Sequence, residues 1–75
     1  MEIKKGKYRH FKGKEYEVLG TAIHSETLEQ MVIYRPLYGE GKIWVRPLSM
    51  WNQMIVKDGL KRKRFTLIEG VEDEN

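Results

Sequence analysis

The chain has no cysteine among its 75 residues. No disulfide can staple it and no thiolate can hold zinc, so side-chain packing alone must hold the fold. A chain this short buries only about 60% of the surface that its unfolded form exposes. Its core must therefore come from its largest side chains. Two tryptophans, four tyrosines, two phenylalanines and four methionines are the supply, and aromatic rings bury the most area per residue.

Glycine and proline divide the chain into short segments. Lys7 to Phe11 reads as a first strand, broken by Lys12-Gly13-Lys14, a glycine-centred link that suggests a hairpin. Glu15 to His24 follows. The period of two puts Tyr16, Val18 and Ala22 on one face and Glu15, Glu17, Leu19, Thr21 and Ile23 on the other. Both faces are partly apolar, as in a sheet that curls onto itself, and Gly20 inside the strand suggests a bend or bulge. Ser25-Glu26-Thr27 is a polar turn. Leu28 to Arg35 is a third strand ended by Pro36, Gly39-Glu40-Gly41 a loop, and Lys42 to Arg46 a fourth strand stopped by Pro47. Pro47 pre-sets the first helical position, and Leu48, Trp51 and Ile55 then share a helical face, so Pro47 to Gln53 is predicted as a short helix. Asp58-Gly59 signals a tight turn. Arg64 to Glu69 is the last strand, and residues 70–75 are expected to fray as an acidic tail.

These elements predict a single mostly β domain over residues 1–69. The preferred architecture is a small SH3-like barrel of about five antiparallel strands with one short helix before the last strand, since closure removes sheet edges. An open antiparallel sheet with one packed helix is the alternative.

Charge narrows the functional classes. Glu69, Glu72, Asp73 and Glu74 put four negative charges into the last seven residues, so the net +3 of the whole chain becomes +7 over residues 1–68. The cations form two clusters. One is Lys4, Lys5, Lys7, Arg9, Lys12 and Lys14, and the other is Lys57, Lys61, Arg62, Lys63 and Arg64. A basic body attracts polyanions, although lysine-rich strands also solubilise small β domains and guard their edges. No apolar run approaches the ~20 residues of a membrane span, and Gly6-Lys7 follows the first lysines where a signal peptide would turn apolar. A cytoplasmic, monomeric protein is expected.

Several stretches together carry a family resemblance: Tyr8-Arg9-His10, Lys12-Gly13, His24-Ser25-Glu26-Thr27, Tyr34, Tyr38-Gly39, Trp44-Val45-Arg46-Pro47 and Arg64-Phe65. In this order and spacing they resemble the small bacterial family designated domain of unknown function 1653, over Gly6 to Ile68. The resemblance implies a compact, mostly β, SH3-like domain and no assigned activity. Trp51 stands where that family usually shows phenylalanine, which implies a packed aromatic position. Lys63 stands where it commonly has proline, which places the start of the last strand in question.

The residues themselves allow three functional classes. Protein or peptide binding would use a Tyr/Trp surface drawn from Tyr34, Tyr38, Trp44 and Trp51. Nucleic-acid binding would use the basic clusters with Arg9, Arg46 and Arg64. An enzyme using His10, His24 and Glu26 is a distant third: His24 and Ser25 are strand neighbours and point to opposite faces, and Ser25 and Thr27 read as turn caps. Two histidines without cysteine make a poor metal set, and Gly39-Glu40-Gly41 lacks the helix that a phosphate loop needs. A non-catalytic binding module without cofactor or metal is thus the expectation. Its candidate ligand-binding residues are Arg9, His10, His24, Glu26, Tyr34, Tyr38, Arg46 and Arg64. In Trp44-Val45-Arg46-Pro47, Trp44 and Arg46 share a face. The favoured reading packs Trp44 and Trp51 as two walls of one core, which leaves Arg46 to reach solvent or pair with a carboxylate such as Glu26. The converse reading turns Trp44 and Arg46 outward together.

Overall fold

The computed structural model describes residues 3–70. Apart from Gly70, the acidic tail lies outside the described residues. The elements are β1 (Gly6–His10), β2 (Glu15–Ile23), β3 (Gln30–Pro36), β4 (Trp44–Pro47), α1 (Leu48–Trp51), β5 (Met54–Lys57), β6 (Leu60–Lys63) and β7 (Phe65–Gly70). The fold is mostly β with one short helix. β1 to β4 and β7 form an antiparallel sheet in the order β4-β3-β2-β1-β7, while β5 and β6 pair as a separate two-stranded ribbon. The described residues thus form seven strands rather than about five, and the helix precedes the last three of them. Neither sheet closes into a barrel: β4 and β7 are free edges.

The register sorts the large sheet into two faces. Tyr8 lies opposite Tyr16 and Leu67, Val18 opposite Tyr34, Val32 opposite Arg46, Tyr34 opposite Trp44, and His10 opposite Phe65. Directly opposed residues point to the same side, so these side chains share one inner face. The outer face carries ion pairs: Arg9 with Glu15 at 3.0 Å, Arg35 with Glu17 at 2.7 Å, and Lys7 with Glu69 at 4.0 Å. The mixed polarity of β2 has a different cause from the one the sequence suggested. A bulge between Val18 and Gly20 makes Leu19 an extra residue and reverses the parity beyond it. Thr21, opposite Val32, takes the inner face, and Ala22 goes to the other side from Tyr16 and Val18.

The inner face is aromatic. Tyr8, Val18, Val32, Tyr34, Trp51 and Phe65 form the buried core, with Ile3, Tyr16 and Leu48 packed against it. α1 swings Trp51 off the β4 edge and over the sheet. There its ring stacks on Phe65 with centroids 3.7 Å apart and planes 2° from parallel. Tyr34 and Tyr8 meet it edge-on at 4.9 and 5.5 Å. Phe65 belongs to β7, at the opposite edge of the sheet. In a flat five-stranded sheet those edges would lie roughly 19 Å apart, so the contact requires the sheet to curl steeply, although it stops short of closing. The helix itself is only Leu48–Trp51, with no side-chain cap at Pro47, and Ile55 has left it for β5.

Two glycines are required by geometry. Gly6 has φ +140°, and a Cβ there would lie 2.3 Å from the Glu69 carbonyl oxygen across the β1–β7 pair. Gly59 (φ +77°) follows Asp58 (φ +55°), and two successive positive φ values give the tight turn that joins β5 to β6. The sequence marked this turn, but the strands on either side of it went unread.

Trp51 is the residue whose loss the fold should tolerate least. Trp51→Ala is expected to cost about 3–5 kcal/mol, most of the stability of a domain this small. The indole Nε1 is buried with no hydrogen-bond partner among the described residues. Trp51→Phe removes that orphaned donor and keeps a ring on Phe65, so it should cost much less. Urea unfolding midpoints of the two variants check the difference, and equal losses would mean that the stack is not what holds the fold.

Candidate functional site

All eight aromatic rings, together with the His10 imidazole, belong to one chain of ring contacts. From the Trp51–Phe65 stack it passes to Tyr34, then through Tyr34 to Trp44 at 6.2 Å and Tyr16 at 5.7 Å, and through Tyr16 to Tyr38 at 5.7 Å. His10 sits 5.0 Å from Phe65 and 4.5 Å from Phe11. The network begins in the core and ends in solvent: Trp51 is 2% exposed and Tyr34 3%, whereas Tyr38 is 41% and Trp44 48%. Trp44 does face inward beside Tyr34, but it lies on the edge strand β4, where no further strand of the described residues covers its far side. It is therefore a surface ring and not the second core wall that the sequence suggested.

Cations rim this surface. Arg46 shares the inner face with Trp44. Its guanidinium lies 5.6 Å from the Phe65 ring and its Nε donates to the Tyr34 hydroxyl at 3.4 Å. Among the described residues no carboxylate pairs with it, Glu26 included. Lys14 Nζ sits over the Tyr38 ring at 4.5 Å. The hydroxyls of Tyr16 and Tyr38 are bonded at 2.9 Å. Burial, and then this bond, pushes the Tyr16 phenol up to about 12. Sequence reasoning missed Tyr16 because its partner is 22 residues away. The signal was the pairing of β2 with β3, which sets Tyr16 opposite Pro36.

The other candidates scatter. Tyr34 is buried, with its hydroxyl turned to Arg46. Arg9 is on the outer face, paired with Glu15. Arg64 donates to Gln53 Oε1 at 3.0 Å beside the base of the ribbon. The two histidines do the same structural job at different places. His10 Nδ1 accepts the Lys12 amide at 3.1 Å, and His24 Nδ1 accepts the amides of Glu26 at 3.1 Å and Thr27 at 3.3 Å. Each ring caps the turn after its strand. The Thr27 hydroxyl adds a cap by accepting the Glu29 amide at 3.2 Å. His10 touches Tyr16 at the start of β2, while His24 follows its far end, roughly 26 Å away along the strand. His10, His24 and Glu26 therefore form no catalytic set. Among the described residues no three His, Asp or Glu side chains gather to hold a metal, and no helix is long and apolar enough to cross a membrane.

An open mostly β sheet with an aromatic inner face defines a small β domain with a ring-lined surface and a cationic rim. The chain belongs to the family described as protein of unknown function (DUF1653), whose sequence profile matches residues 6–67. It is similar to the crystal structure of a member of that family from Bordetella bronchiseptica. The two are 34% identical, with a TM-score of 0.82 over 96% of this chain and 95% of the other. No curated protein matches it.

Burial holds the His10 imidazole below the ordinary histidine value, and the charges of Arg64, Lys12 and Arg46 lower it further. In the pH range between the folded and unfolded values, the unfolded chain binds a proton that the folded chain does not. Stability is therefore expected to fall as pH drops from neutral into that range. Protonation would also remove the acceptor for the Lys12 amide. NMR titration should find His10 below the ordinary value, and Arg64→Gln should move it upward.

Proposed function

We propose that this domain is a non-catalytic binding module that takes a peptide segment of a partner protein across Tyr38, Tyr16 and Trp44, with an anionic group of the ligand set against Arg46. The observation that carries the reading is the exposure of Tyr38 and Trp44 at the end of a ring network anchored in the core. Rings held from beneath offer large, rigid contact area with little side-chain entropy left to lose. The Arg46 guanidinium spends one N–H on Tyr34, and the others suit a carboxylate. The two clefts described lie elsewhere, lined by residues such as Gly6 and Leu37 or Phe11 and Lys63. A shallow ring surface of this kind fits a chain segment better than an enclosed small molecule.

A peptide set rich in proline and acidic residues, titrated into labelled protein, should shift the Trp44 indole signal and the Tyr38 amide. Trp44→Ala and Tyr38→Ala should each weaken that binding at least about tenfold while the domain stays folded. Tyr34→Ala should instead unfold it, because that ring is core. Unchanged affinity in the Trp44 and Tyr38 variants would refute the reading.

A further inference from the structure

The two basic clusters have different surroundings. In the first, Arg9 pairs with Glu15 and Lys7 approaches Glu69. The second is uncompensated. The segment Met54–Arg64 carries five cations against one carboxylate, Asp58, and none of the five pairs with an acid among the described residues. It folds as the β5–β6 ribbon, in which every residue but Ile55 is exposed. Pairing of Met54 with Lys63 and Val56 with Lys61 puts two lysines on one face, and pairing of Ile55 with Arg62 and Lys57 with Leu60 puts a lysine and an arginine on the other. At its base the Arg64 amide donates to the Gln53 carbonyl at 3.0 Å and the Phe11 amide to the Arg64 carbonyl at 2.9 Å, which ties the ribbon to the sheet. Beside that base an open cleft of about 410 Å³ lies between Arg9, His10 and Phe11 on one side and Arg62 and Lys63 on the other.

We propose that the β5–β6 ribbon and this cleft are a docking site for the backbone of double-stranded DNA. A flat partner engages one face of a ribbon, whereas a groove presents phosphates on two walls. Cations on both faces match the second case. The B-form major groove is about 12 Å wide and admits a two-stranded ribbon. The major groove of duplex RNA is too deep and narrow for one. Single strands call for stacking rings interleaved with the cations; the ribbon bears none, and the two rings of the cleft, His10 and Phe11, already pack on each other at 4.5 Å. The turn at the ribbon's tip, Asp58-Gly59, offers no cation and no long donor for base edges, so phosphate contact falls to the lysines and arginines of the strands, and the binding should be largely independent of sequence. This site is separate from the ring surface, and neither proposal depends on the other.

The test is fluorescence anisotropy of a labelled duplex of about 20 base pairs. With roughly four phosphate contacts, affinity should fall roughly 100-fold between 50 and 200 mM salt. The triple change Lys61→Gln, Arg62→Gln and Lys63→Gln should weaken binding more than about tenfold at the lower salt and flatten the salt slope by about 2–3. Because these side chains are exposed, its thermal midpoint should match the wild type. A control with the same loss of charge elsewhere, Lys4→Gln, Lys5→Gln and Lys42→Gln, should stay within about threefold of the wild type. The proposal fails if no saturable binding occurs at 50 mM salt, if the control loses as much as the ribbon variant, or if a single strand or an RNA duplex of equal length binds more tightly.

Discussion

One contact organises this domain: the stack of Trp51 on Phe65. Trp51 arrives from the β4 edge of the sheet and Phe65 sits in β7 at the other, so their contact ties the two edges across the inner face. A domain without cysteine has no covalent way to do this. Small aliphatic side chains could not span the gap either, which is why so much of the chain's bulk is aromatic. Tyr8 and Tyr34 close around the stack edge-on, the arrangement that the charge distribution of the rings favours. The curl of the sheet, the position of the one-turn helix and the support beneath Tyr16 and Trp44 all depend on it.

Much of this could be read from the chain itself. Glycine and proline placed most strand ends to within two residues, Pro47 announced the helix, Gly20 announced the bulge, and the family resemblance covered the span that the profile matches. What escaped was tertiary. The period of two assumes an unbroken register, so the bulge at Leu19 misassigned Ala22. The sequence does not mark Met54–Lys57 and Leu60–Lys63 as strands, because neither face of the ribbon is buried and no apolar alternation survives there. The need of a small domain to bury its largest groups points Trp44 into the core. It is on the inner face, but an edge strand has no neighbour to cover it. Apolar packing does not explain Arg46 from the sequence, and its partners among the described residues are a phenol and a ring face.

The sheet keeps its two kinds of chemistry apart. On the outer face, opposite charges lie across from one another and largely cancel. On the inner face, cations meet π-systems, whose faces attract them without neutralising them. The ribbon has neither kind of compensation. The residual positive field of the domain is thus concentrated where the backbone is least packed, a disposition that sequence totals alone cannot show.

The pairing of β1 with β7 also bears on synthesis. These strands are about 60 residues apart in the chain and adjacent in the sheet. Phe65 is the platform for Trp51, so nothing made earlier can complete the core. On the ribosome the face of Trp51 that stacks on Phe65 therefore stays open until that last strand clears the exit tunnel, and β1 gains its second neighbour only then.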